Sequence, residues 1–389
     1  MSRYEHGQSY YLDTVANSGI HHRLSKLQKL ELCYNITRNS DAELIVDRIV
    51  NLFAILACNV HGLRHISIIF GTEQPVLQSK LGKAVENLIK SQSNLEYLEL
   101  YKFWDSSTEV SIYSALVSQS RSLTFLKILG TKDFHQLLPF LKYCTNLKTL
   151  CITPSIPPIK ENSGAEYSSI QLRHIYFQHY IEPNMITSTL IPILRMSSQN
   201  LRILSLQRVN PHHLDLIARY CSNITTLSLN IAYSQLSHFG KIISNMNLRS
   251  LTLKKVLGDT NFCQKSINDL AKSIPSSLKY FGIGFKMLPI TLKLFLSECQ
   301  ASLCGLDLYY YFNMIDDSYL QIFIQYAKEN DSFRQLRFED APSTHLCGVF
   351  ENPSKLLQHA KSIIPVITKF KFGKDPFDDD LDYSEFAFS

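Results

Sequence analysis

One figure recurs along almost the whole chain: an apolar residue, two others, a second apolar residue, one other, and a third. Cys221-Ser222-Asn223-Ile224-Thr225-Thr226-Leu227-Ser228-Leu229 shows it in context. Leu227 and Leu229 stand two apart, so in an extended strand both side chains point to the same side. Matches start at Leu27, Leu63, Leu95, Leu123, Leu147, Leu172, Leu201, Ile224, Leu248, Leu278, Leu303, Phe333 and Ile367. Their number alone decides little in a chain that is 45% apolar; their order does. Successive starts lie 23 to 36 residues apart, without clusters or gaps. Most follow the same small polar turn, as in Ser93-Asn94, Thr145-Asn146, Gln199-Asn200 and Ser276-Ser277.

Between the matches the apolar spacing turns helical, as in Leu44, Ile45, Ile49, Leu52, Phe53 and Leu56. Asn210 followed by Pro211 reads as an N-cap with proline at the first helical position. One strand and one helix per repeat of this length is a solenoid pattern. A single unit cannot bury both its strand leucines and its helix face, so neighbours must stack. The predicted fold is therefore an α/β leucine-rich-repeat solenoid, a horseshoe with a concave parallel sheet and convex helices. Its predicted span is 24–373, about a dozen units, with residues 1–23 as an N-terminal cap or extension. A proline-bearing irregular loop is expected at 153–171, and an acidic aromatic disordered tail at 374–389.

Charge narrows the function only slightly. The net charge is +5, but from Lys374 onward six carboxylates face one lysine, so the tail carries −5 and the body +10. Spread over so long a body, this reads as ordinary solvated surface and argues weakly for nucleic acid, whose footprint should be clustered. The tail could shield the basic body or dock on a partner. Nine cysteines and a polar start from Met1 to Thr14 point to reduced thiols in the cytoplasm or nucleus. No apolar run is long enough to span a membrane.

The sequence resembles leucine-rich repeat proteins of the ribonuclease-inhibitor-like kind, and more closely their cysteine-containing type in the substrate-binding halves of F-box proteins. Cys58, Cys144, Cys221 and Cys299 each stand at a helix end just before the strand motif, as in Cys144-Thr-Asn-Leu147-Lys-Thr-Leu150. The resemblance implies a protein-binding role, with a Skp adaptor and a cullin as further partners if the chain recognises proteins for ubiquitination. Residues 1–23 are too short and polar for an F-box, so the adaptor-binding part is expected to be missing, diverged or supplied by another chain. The family's usual Asn or Cys after the strand is met at Asn35 but replaced at Phe103, Val209, Ala232, Val256 and Ala341.

In such a horseshoe the residues alternating with the strand leucines face the concave surface. The candidate contacts to a protein ligand are Tyr97, Tyr101, Phe125, His174, Tyr176, Gln178, Asn230, Lys254, Tyr280, Asp307, Tyr309, Arg337 and Glu339. Exposed Tyr and Arg are the residue types that most often dominate protein interfaces. No C-x-x-C pair is present and the cysteine spacings follow the repeat, so no metal is expected. Without a nucleophile elbow, phosphate loop or converging acid and base, neither catalysis nor a cofactor is expected. Gly282-Ile283-Gly284 falls inside a strand, where it reads as close packing. The readings left are a protein-interaction scaffold, in its finer form the recognition half of a Skp-cullin-F-box-type ligase, an inhibitor or assembly scaffold unrelated to ubiquitin, and a nucleic-acid-binding solenoid.

Overall fold

The computed structural model describes residues 26–35, 41–71, 74–101, 106–131, 134–154, 170–177, 183–207, 209–255, 263–285, 287–309, 317–340 and 355–371. The proposed cap at 1–23, most of the loop at 153–171 and the acidic tail lie outside them. The chain forms two compact units, residues 1–205 and 206–389.

In the first unit strands alternate with helices as the repeat requires: β1 (Lys29–Asn35), α1 (Ala42–Asn59), β2 (His65–Gly71), α2 (Pro75–Lys90), β3 (Tyr97–Tyr101), α3 (Ser106–Val117), β4 (Phe125–Thr131) and α4 (Phe134–Leu141). Then come β5 (Thr149–Pro154), β6 (His174–Phe177), α5 (Pro183–Ser197) and β7 (Ile203–Leu206). Each strand from β1 to β6 pairs in parallel with the next, so Leu30, Ile66, Leu98, Leu126, Leu150 and Ile175 share one register position. From Ile66 onward these residues are fully buried, as are the motif-leading Leu63, Leu95, Leu123, Leu147 and Leu172.

The second unit repeats the plan: α6 (Pro211–Tyr220), β8 (Thr226–Ile231), α7 (Leu236–Ile243), β9 (Ser250–Lys255), α8 (Gln264–Ser273), β10 (Tyr280–Gly284), α9 (Pro289–Glu298), β11 (Gly305–Leu308), α10 (Asp317–Glu329), β12 (Gln335–Asp340), α11 (Lys355–Ile363) and β13 (Val366–Lys371). Its strands from β8 to β13 are again parallel neighbours in chain order. Each unit is thus an α/β leucine-rich-repeat solenoid. Leu227, Leu229, Leu251, Leu253, Leu306 and Leu308 have no exposure, and burying each such side chain contributes about 1.5–3 kcal/mol. The Asn210 cap closes as a box: its side chain accepts from the His213 N–H at 2.9 Å, while His213 Nδ1 accepts the Asn210 N–H at 3.1 Å.

The small polar turns have a defined task. Asn146, Asn200, Ser277 and Ser332, each just before the motif's first apolar residue, donate to main-chain carbonyls of the preceding repeat at Arg121, Ile170, Leu248 and Leu303. At the position where the cysteine-containing repeats carry Cys, the first unit uses buried Gln92 and Gln119 and then Cys144. Gln92 Oε1 accepts the Leu63 N–H at 3.0 Å while its Nε2 donates to the Val60 carbonyl at 2.9 Å. These polar side chains satisfy main-chain groups that the stacking buries.

Candidate functional site: the sheet face of each unit

Register places the non-core strand residues of the first unit in rows. Lys29, His65, Tyr97, Phe125, Thr149 and His174 form one row, and Glu31, Ser67, Glu99, Lys127, Cys151 and Tyr176 the next. Rings in the first row stack face to face. The His65 and Tyr97 centroids are 3.9 Å apart with planes 4° from parallel, and Tyr97 and Phe125 are 4.3 Å apart at 9°. Parallel strands sit about 4.8 Å apart, so consecutive aromatics in register meet ring to ring with little distortion.

The second row is polar and interlocked. Glu99 accepts from Ser67 Oγ at 2.8 Å and from the Tyr97 hydroxyl at 3.3 Å, and Lys127 Nζ pairs with it at 2.9 Å. Burial raises the Glu99 pKa, but the Lys127 ammonium and the three hydrogen bonds outweigh that and hold it below the usual carboxylate value. The carboxylate therefore stays charged and fixed beside the ring stack. Burial and the Lys29 charge lower the His65 pKa against the opposing pull of Glu31 and Glu99. His174, bonded through Nδ1 to Thr149 Oγ1 at 3.1 Å, is brought down to about 4 by burial and by Arg173 and Lys148. Both imidazoles are neutral near pH 7.

The second unit's face is closed rather than open. A β-carbon at Gly282 would stand 2.7 Å from Thr252 Oγ1 and 3.0 Å from Tyr309 Cε2; one at Gly305 would stand 2.9 Å from Tyr280 Cδ1. The glycines let Tyr309 and Tyr280 lie down on neighbouring strands, as close packing at Gly282 and Gly284 requires. Lys254 Nζ sits 4.5 Å from the Tyr309 ring centre. Arg337 clasps Asp307 with two bonds, Nε at 2.7 Å and Nη2 at 2.6 Å.

Four of the sequence-predicted contacts need correction. Phe125, Tyr176, Asp307 and Tyr309 were expected on the surface, yet all four are buried and Tyr309 is only 1% exposed. The Tyr97 ring covers Phe125, Arg337 covers Asp307, and the space left by Gly282 admits Tyr309. Tyr97, Tyr101, His174, Asn230, Lys254 and Arg337 are half-exposed and Tyr280 is 46% exposed, all at face positions. Gln178 and the Glu339 side chain lie outside the described residues. A row that starts at Tyr97 leaves out His65 and Ser67, which lie at the same register positions. Carrying the same alternation back to the match at Leu63 would have found both.

Cys144 and Cys221 are buried, and burial pushes both thiols up to about 12, so neither is a nucleophile. Among the described residues no group of three or more His, Cys, Asp or Glu could hold a metal ion, and no helix is long and apolar enough to cross a membrane.

No family model matches the chain, and no curated protein matches it. Solved structures do. The leucine-rich repeat-containing protein LegL7 from Legionella pneumophila aligns at 14% identity over 90% of this chain and 96% of its own, with a TM-score of 0.41. A chain of the yeast Rad7 and Elc1 complex aligns at 15% identity over 78% of this chain and 76% of its own, with a TM-score of 0.43. The TLR13-ssRNA13 complex gives 14% identity over 80% of this chain and 45% of its own, with a TM-score of 0.34.

Proposed function

We propose that the chain is a non-enzymatic protein-interaction scaffold whose ligand docks on the open sheet face of the first unit. The observation that carries this reading is the His65–Tyr97–Phe125 stack, flanked by the Glu99–Lys127 pair. Each of these side chains comes from a strand locked to its neighbours, so little conformational freedom remains to be lost on binding. Aromatic surface beside a fixed charge pair gives an anchor and a polar register mark.

The test is recovery of partners from native cells with the intact chain and with the double variant Tyr97→Ala/Lys127→Ala. A partner protein held by the first and lost by the second, at unchanged circular dichroism, supports the reading. Equal recovery by both removes the sheet face from the binding site.

A finer form of the reading makes this chain the recognition half of a Skp-cullin-F-box-type ligase. It draws support from Cys144 and Cys221, which occupy the buried helix-end position that the cysteine-containing repeats use. Co-purification of a Skp adaptor and a cullin would favour it. A single abundant other protein in their place would favour an inhibitor or assembly scaffold.

A further inference from the structure

We propose that the strand-start edge of the first unit is a second docking surface, built for an acidic, extended polypeptide segment of a partner protein. In sequence most Lys and Arg read as ordinary solvated surface, but the structure gathers those of the first unit. Among the described residues, the connections that lead into β2–β7 (60–64, 91–96, 118–124, 142–148, 170–173 and 198–202) carry Arg64, Arg121, Lys142, Lys148, Arg173 and Arg202 against one acid, Glu96. That net +5 equals the formal charge of the whole chain. The corresponding connections of the second unit carry Arg249, Lys279 and Arg334 against Asp331, a net +2.

The charges are also in line. The Arg173 N–H donates to the Lys148 carbonyl and the Arg202 N–H to the Arg173 carbonyl, both at 2.8 Å. Strand spacing then puts Lys148, Arg173 and Arg202 within about 10 Å along the edge. Their field reaches inward, since Arg173 and Lys148 join burial in depressing His174.

The same edge holds a groove of about 700 Å³ between Arg64 and Arg121, walled by Glu96, Val117 and otherwise by serine and asparagine side chains. Ser93, Ser118 and Ser122 commit their hydroxyl protons to the carbonyls of His61, Ala115 and Gln119 at 2.9, 2.7 and 3.2 Å. What these hydroxyls can offer a ligand is lone pairs. Arg64 Nε already pairs with Glu96 at 3.5 Å, so a ligand for this groove must bring a carboxylate for Arg121 and N–H donors for the hydroxyls. A polypeptide has both, whereas a phosphodiester backbone has acceptors only.

The inference shares with the sheet-face reading only the premise of a protein partner, and either surface can fail alone because the edge variants leave the ring stack intact. The experiment is fluorescence anisotropy on the full chain with a fluorescein-labelled (Glu-Ser)6 peptide, its alternately N-methylated counterpart and a single-stranded oligonucleotide of equal charge. The peptide is expected to bind and to weaken with salt. Arg121→Glu/Arg173→Glu should reduce its affinity at least tenfold, with a smaller loss for Arg121→Gln/Arg173→Gln. Arg249→Glu/Lys279→Glu should change it less than twofold, and N-methylation should weaken it at least threefold. Tighter binding of the oligonucleotide, lost on the first-unit reversals, would overturn the proposal in favour of nucleic acid. Equal loss from the second-unit reversals would overturn it in favour of undirected net charge.

Discussion

Gln119 Nε2 donates to the main-chain carbonyl of Gln92 at 2.7 Å, and each of these glutamines reaches back one repeat to a buried leucine N–H. Gln119 Oε1 accepts from Leu95 at 3.2 Å, and Gln92 Oε1 from Leu63 at 3.0 Å. Replacing Gln119 by Leu strands both the Leu95 N–H and the Gln92 carbonyl without water. Each buried unpaired group costs about 1–3 kcal/mol, so the variant, with two, should lose about 2–6 kcal/mol in urea denaturation. Unchanged stability would mean that water reaches the ladder.

Tyr309 fills the space that Gly282 leaves, and substitutions at the two should both destabilise, for opposite reasons. Tyr309→Ala removes a fully buried ring and should cost about 3–5 kcal/mol. Gly282→Val drives side-chain atoms into Thr252 and Tyr309 and should cost about 1–3 kcal/mol or more. Thermal unfolding of both variants checks this; a neutral Tyr309→Ala would place that ring in solvent.

His174 makes stability depend on pH. Its folded value of about 4 lies below the ordinary 6.5, so between those limits the unfolded chain binds the proton first. The contribution is present above pH 6.5 and is lost as pH falls towards 4, by at most about 3 kcal/mol. His174→Gln should flatten that part of the stability profile. An equally steep profile in the variant would assign the effect to other groups.

The Glu99 carboxylate depends on Lys127. Its folded value is depressed, so it contributes stability above its unfolded value of 4.5 and loses it as pH falls through the lower folded one. In Lys127→Met only Ser67 and Tyr97 oppose burial. The Glu99 carboxyl resonance should then titrate at higher pH in an NMR titration than in the parent, and an unmoved titration would show that the ammonium is screened.

The strand positions were legible because the three-residue motif encodes side-chain direction with period two, and Leu98, Leu126, Leu227 and Leu251 are core residues as read. What that reading lacked was register. Asp307 and Arg337, or Glu99 and Lys127, lie 30 and 28 residues apart and meet only because parallel strands align motif with motif. Tyr309 looked exposed because its burial depends on a missing side chain in the preceding strand, at Gly282. Gln92 and Gln119 carry no signal in the sequence, since a ladder to main-chain groups has no signature in side-chain pattern. The basic edge was hidden in the same way: Arg64, Lys148, Arg173 and Arg202 each directly precede a strand residue, and they form a line only once the repeats are superposed.

A photo-crosslinking side chain placed at Tyr97 or Tyr101 on the sheet face, and separately at Val76 on α2, which is 79% exposed, tests the sheet-face site most directly. Irradiated in native cells, the face positions should yield a discrete protein adduct that the helix position does not. Adducts from Val76 alone, or from nucleic acid in place of protein, would contradict a protein ligand on the sheet face.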